Sequence, residues 1–157
     1  MFSLILSLVI IIGFGYIGWG IQNYYKNRII FYENLDNMLH YIINNINFYK
    51  DSSERILMNF LKNSNTSKYL KSVIISFLKN NSVMDTLIIK KNEKSHLINI
   101  FNHLGKSDCE NQIAGFKIFS DQTNFIIIKC KEEYEKIGKN ATKLGILLGL
   151  AITICLL

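Results

Sequence analysis

The chain contains no proline, and no glycine falls between Ile21 and Leu104. The two residues that most readily break a helix are therefore missing from the whole middle of the protein. Punctuation there falls to Asn, Ser, Asp and Thr, which suits short turns between helices. Cysteine is scarce too. Cys155 lies in an apolar tail, and Cys109 and Cys130, read below onto one helix, stand 21 residues apart. That is about 31 Å along a helix, far beyond bridging range, so no disulfide framework is expected. The histidines number three, His40, His96 and His103. His96 and His103 are about 10 Å apart along a helix rather than at the i, i+4 spacing of a helical metal pair. His103, near a helix C-terminus, is more simply a favourable dipole contact. Cys-x-x-Cys, His-Glu-x-x-His, P-loop and Gly-rich dinucleotide patterns are all absent. A nucleophile built from Cys109 or Cys130 would need a base and an open pocket, for which nothing argues. The expectation is a non-enzyme with no metal and no cofactor.

Charge is missing from both ends. Residues 1–21 and 144–157 contain no Asp, Glu, Lys, Arg or His, and the outermost charges are Lys26 and Lys143. A helix of about 20 apolar residues crosses a hydrocarbon core of roughly 30 Å, and residues 2–21 meet that length. The tail of 14 residues reaches only about 21 Å. It can be extended back through Ile137, with Lys139 and Lys143 snorkelling toward the headgroups. The reading divides the chain into a transmembrane anchor (1–22), a cytosolic helical bundle (23–138) and a C-terminal transmembrane helix (139–157).

Lys26 and Arg28 follow the first span, and Lys136, Lys139 and Lys143 precede the second. Basic residues at both inner edges put the middle in the cytoplasm and both termini outside. Trp19, Tyr24 and Tyr25 stand where an interfacial aromatic belt belongs. A cleaved signal peptide fits poorly, because there is no basic n-region, the apolar stretch is too long, and no small-x-small site follows. The net charge of +6 includes these five cations, with the remaining basic residues scattered among 12 acids. No basic run interleaved with aromatics would track a phosphate backbone. Attraction to anionic lipid accounts for the charge, and no nucleic-acid partner is expected.

The middle reads as helices. Leu35, Leu39, Ile42, Ile46 and Tyr49 form an apolar stripe on a first helix that runs on from the membrane. Residues 51–54 look like a new helix start, with Ile56, Leu57, Phe60 and Leu61 behind it. A third stretch near 67–79 offers Leu70, Val73, Ile74 and Phe77. Residues 82–89 form a short fourth piece, of which 87–89 could equally be a strand. A fifth helix over 93–104 carries Leu97, Ile100, Phe101 and Leu104, with Gly105 at its expected C′ stop. Ser107 to Glu110 is a capping box for the last helix. From there Cys109, Ile113, Phe116, Ser120, Thr123, Ile127, Cys130, Tyr134, Ile137, Ala141, Leu144 and Leu148 alternate by four and three. Residues 125–128 could be a strand in isolation, but they sit inside this register. The expectation is an all-α protein whose last helix runs continuously into the membrane, with roughly 120 residues between the spans to bury one core.

Glycine is concentrated in the spans. Gly13, Gly15, Gly18 and Gly20 crowd the first; Ala141, Gly145, Gly149 and Thr153 recur every four residues in the second. Small residues on one face let helix backbones approach closely in lipid, so Gly145 and Gly149 are candidates for packing between the spans or for oligomerisation. The plainer reading is that glycine is merely common in membrane helices.

The segment Phe101-Asn-His-Leu-Gly-Lys-Ser-Asp108, followed by Asn111 and Gln112, resembles a signature of the stage III sporulation protein AB family. So does Tyr134-Glu-Lys136 leading into Leu144-Gly-Ile-Leu-Leu-Gly149. The anchor and its basic exit at Lys26 and Arg28 match that family in position. The resemblance covers the full length, with its specific residues concentrated in 104–157. The family usually carries prolines after the first anchor and near the end of the first cytosolic helix, which this chain lacks. Residues 51–91 match only in hydrophobic pattern.

The resemblance implies a membrane component of the apparatus joining mother cell to forespore, placed in the mother-cell membrane around the forespore. It also implies a cytosolic domain similar to the F-type platform protein of type II secretion, and a stage III sporulation protein AA ATPase and other channel components as partners. Gly105, Lys106 and Asp108, in the turn before the last helix, are candidate contacts for that ATPase. Equally, Gly105 and Asp108 can be only a helix cap and a helix-start acid. A holin-like hairpin would have a smaller soluble part. A small membrane adaptor would want a recognisable ligand pocket or effector domain.

Overall fold

The computed structural model describes residues 2–49, 53–63, 65–79, 88–106 and 108–156. Within them the order is α1 (Phe2–Tyr49), α2 (Ser53–Asn63), α3 (Lys68–Leu78), α4 (Lys94–His103), α5 (Cys109–Glu133), a π-helical turn (Tyr134–Gly138) and α6 (Lys139–Leu156). No strand occurs among the described residues, and the chain is all-α. Residues 125–128 are helical, inside α5. The capping residues proposed at Asp51, Ser52 and Ser107, and residues 82–87 of the piece at 82–89, lie outside the described residues; 88 and 89 are a turn and a bend, not a strand.

α1 runs unbroken for 48 residues, about 72 Å at 1.5 Å per residue. Nothing after Gly20 interrupts it, because the sequence offers neither proline nor glycine there. The chain divides into two compact units, residues 30–127 and residues 1–29 with 128–157.

The 30–127 unit is built on the stripe predicted for α1. Leu35, Leu39, Ile42 and Ile46 are buried, and Phe31, Tyr32, Met38 and Ile43 widen that face. Ile56, Leu57 and Phe60 of α2, Leu70, Val73 and Ile74 of α3, and Leu97, Ile100 and Phe101 of α4 bury the apolar faces read from their periodicity. Each such side chain contributes about 1.5–3 kcal/mol when fully buried. Polar ties fix the helix starts. Ser67 caps α3, its hydroxyl accepting from the Leu70 N–H at 3.4 Å, while its own N–H donates to Asn34 Oδ1 on α1 at 3.1 Å. Tyr32 donates its hydroxyl to Glu93 Oε2 at 2.7 Å, and the same oxygen accepts from the Lys90 N–H at 3.1 Å. α4 ends at His103, and Gly105 follows with φ 74°. That left-handed conformation is open to glycine without a Cβ penalty, and it stops the helix.

The last helical stretch differs from its sequence reading in one respect. Phe116, Ser120, Thr123, Ile127 and Cys130 are buried as the four-and-three stripe predicts, although its first member, Cys109, is exposed. From the end of the π turn onward the buried positions are Gly138, Ala141, Gly145, Gly149 and Thr153, while Ile137 within the turn and Leu144 and Leu148 beyond it are at least half exposed. A π turn adds one residue to the helical ladder, closed here by the Lys139 N–H on the Tyr134 carbonyl. One extra residue rotates everything after it by about 100°. The inward face therefore passes from the large aliphatics to the glycines.

Candidate functional site

The unit formed by residues 1–29 and 128–157 carries the features that no soluble core needs. α1, and α5 with α6 taken as one stretch, are each long and apolar enough to cross a membrane. Ile5, Leu8, Ile12 and Ile17 on one, and Leu144, Leu147 and Ile154 on the other, are largely exposed. A contiguous apolar surface of that extent marks a protein or membrane contact.

The two helices meet antiparallel along glycines. A Cβ added at Gly18 would lie 2.4 Å from the Ala141 carbonyl oxygen, and one at Gly145 would lie 2.4 Å from the Phe14 carbonyl oxygen. At Gly149 it would lie 2.9 Å from Ile11 Cα. These obstacles are backbone atoms, which cannot swing aside, so the close approach exists only because the side chains are missing. Gly13 and Gly20 meet nothing within 4 Å. Of the four glycines crowding the first span, Gly18 makes the tight contact and Gly15 a looser one, 3.3 Å to Ile146 Cγ1. Thr142 adds an interhelical bond, its hydroxyl donating to Gln22 Oε1 at 2.6 Å.

Above the glycines sits a feature that the pattern of apolar residues does not reveal. Arg28, about 1% exposed, donates to Glu133 across the helix pair. Arg28 is not simply a basic flank: the fold turns it inward onto Glu133, the residue just before the π turn's first residue, Tyr134. The turn itself is closed around Gly138, where a Cβ would meet the Tyr134 ring at 2.7 Å and Tyr25 Cβ at 3.1 Å. Lys136 and Lys139 point outward, with Glu132 at 3.9 Å and Glu135 at 2.8 Å as their i, i+4 partners. Exposed pairs of this kind are screened by solvent and contribute little to stability. In the sequence Glu133 is one of three neighbouring acids, Glu132, Glu133 and Glu135, and nothing there singles it out as the partner of Arg28.

In the 30–127 unit, the candidate contacts Gly105, Lys106 and Asp108 are all exposed. Asp108 acts locally: its carboxylate accepts from Asn111 Nδ2 at 2.6 Å, and its carbonyl accepts from the Gln112 N–H at 3.0 Å. Ser120, an anomalous polar member of the α5 stripe, donates to Asp36 Oδ1 at 2.5 Å. His40 Nε2 lies 3.4 Å from the same hydroxyl and 3.6 Å from Asp36 Oδ2. The serine proton goes to the carboxylate, and one imidazole nitrogen faces both partners. A nucleophilic relay needs the opposite order, with the hydroxyl on one ring nitrogen and the acid on the other.

Thr123, the next polar member, donates to the Phe119 carbonyl at 2.8 Å, so His96 Nε2 donates to Thr123 Oγ1 at 2.9 Å. Burial pushes the His96 imidazole below its ordinary value, against the smaller opposing effects of Gln122 and Glu93. His103 lies edge-on to Phe116 and Phe119, at ring centroid distances of 5.2 and 5.6 Å. No group of three or more His, Cys, Asp or Glu side chains able to hold a metal ion is found among the described residues.

Against known proteins, the family model described as stage III sporulation protein AB matches residues 3–157. No curated protein and no solved structure matches the chain.

Proposed function

We propose, from the premise that this chain belongs to the stage III sporulation protein AB family, that it is a non-enzymatic membrane platform of the channel between mother cell and forespore. In this reading α1 and α6 cross the mother-cell membrane around the forespore, with both termini outside. The helices of residues 30–127 stand in the cytoplasm, where they dock a stage III sporulation protein AA-type ATPase. The observation that carries the reading is the pairing of the charge-free ends of two membrane-length helical stretches through backbone contact at Gly18, Gly145 and Gly149. A helix pair closed that tightly is a fixed mount, and small residues at the contact are how such pairs form in lipid. The clusters at Asp36, His40 and Ser120 and at His96 and Thr123 support a structural role, since their protons are directed to fixed acceptors within the bundle.

The exposed turn at Gly105, Lys106 and Asp108 is the proposed ATPase contact. Co-purification of the full chain, in detergent, with the ATPase tests the function. The wild-type chain is expected to retain the ATPase, and a Lys106→Glu, Asp108→Lys double variant to lose at least about tenfold in affinity, roughly 1.4 kcal/mol. A folded wild-type chain that retains no ATPase would contradict the platform role; an unaffected double variant would move the contact elsewhere.

A further inference from the structure

The contact between α1 and α6 leaves a groove of about 420 Å³ on its outer side. That volume is within the range of ligand pockets, about 300–1,000 Å³. Gly18, Ala141 and Gly145 make a low floor, and Ile17, Ile21, Ile137 and Leu144 stand beside it as walls. Nine of its ten lining residues are apolar or glycine, and the tenth is Lys136. The antiparallel contacts of Gly18 with Ala141, Gly145 with Phe14 and Gly149 with Ile11 place Lys136 near the level of Asn23 and Tyr24. This is the end of the groove where the charge-free stretch of α1 stops and the aromatic pair Tyr24–Tyr25 begins. The slot is thus apolar along its length and cationic at the end that meets the membrane surface.

We propose that this groove is a binding site for one anionic glycerophospholipid, with an acyl chain laid along the glycine floor and the phosphate on the Lys136 ammonium. The inference rests on the membrane reading given above and adds to it a lipid of defined charge at a defined place. Charge complementarity selects the occupant. A second copy of the chain entering the same groove by two-fold symmetry would bring its own Lys136 to the same membrane depth, so like charges would face each other. A zwitterionic lipid fills the slot but offers no net charge. Lys136 is free to serve the phosphate, because its contact with Glu132, at 3.9 Å between two largely exposed side chains, is of the weak surface kind. Basic pockets between membrane helices on the cytoplasmic side recognise anionic head groups by this combination of charge and apolar wall.

The test uses the full chain in nanodiscs of equal phosphatidylcholine and phosphatidylglycerol, with native mass spectrometry of the lipid retained after release. The wild-type chain is expected to hold one phosphatidylglycerol, enriched about fivefold over the bulk ratio, as one interfacial lysine provides. Lys136→Gln should return the ratio to bulk, and Lys136→Arg should keep the enrichment. Leu144→Trp, which fills the groove from an exposed position, should lose the retained lipid of either class. Helical circular dichroism equal to that of the wild type verifies the fold of each variant. Retention at the bulk ratio by the wild type, enrichment that survives Lys136→Gln, or a lipid-free dimer that Leu144→Trp dissociates would each overturn the proposal. Failure of the chain to enter nanodiscs would overturn the membrane reading, and this inference with it.

Discussion

Single residues in this protein act mainly by what they leave out. At Gly115 an added Cβ would lie 2.1 Å from His103 Nε2, and that ring is wedged edge-on against Phe116 and Phe119. Gly115→Ala is therefore expected to destabilise the fold by about 1–3 kcal/mol, the usual cost of overpacking. A thermal melt of the chain in detergent measures it, and His103→Ala in the same chain should recover part of the loss. The position of Gly115 could not be read at all, because its neighbour comes from another helix.

His96 gives a pH dependence of known sign. Burial lowers its folded-state value below the ordinary 6.5, so the folded chain holds the ring neutral where the unfolded chain has begun to bind a proton. Its contribution is complete above about pH 6.5 and is lost as the pH falls from there through the lowered folded value. Melting temperature should drop over that window, and His96→Gln should flatten the drop; an equal slope in the variant would refute the assignment.

At the scale of elements, the π turn at Tyr134–Gly138 decides which face of α6 is turned inward. Deleting Glu135 would restore a plain α ladder and rotate α6 by about 100°, taking the glycines off α1. With the native cysteines replaced, the pair Gly15→Cys and Ile146→Cys should crosslink on oxidation, since a Cβ at Gly15 would lie 3.3 Å from Ile146 Cγ1. The deletion should abolish that crosslink; its survival would show that the turn does not set the register. The helices themselves were legible from periodicity, because apolar positions in α1, α3, α4 and most of α5 recur at the helical period. The register of α6 was not. Ile137, Leu144 and Leu148 continue the stripe by composition, and in lipid a large aliphatic side chain is as much at home on the outside as within. Hydrophobicity stops reporting the inward face where the solvent is itself apolar, and close packing of small residues takes over. The glycines carried that signal, but nothing in a four-and-three count says when a helix gains a residue.

For the molecule as a whole, the absence of charge at both ends remains the most informative observation. The fold adds that the two ends pair through backbone contacts, with the buried Arg28 paired to the half-buried Glu133 at the mouth of that pairing. Arg28 still counts for orientation, because the positive-inside rule depends on the number of Lys and Arg residues rather than on net charge. Family, fold class and the two long apolar helices could all be read from the sequence; Arg28–Glu133 could not, since its members lie 105 residues apart. The central proposal is that the helices between the two apolar stretches stand in the cytoplasm. Labelling of a single-cysteine Lys106→Cys chain with a membrane-impermeant maleimide, in spheroplasts of a heterologous bacterial host, tests it most directly. The account predicts no labelling until the membrane is permeabilised and full labelling afterwards. Full labelling of intact spheroplasts would contradict it.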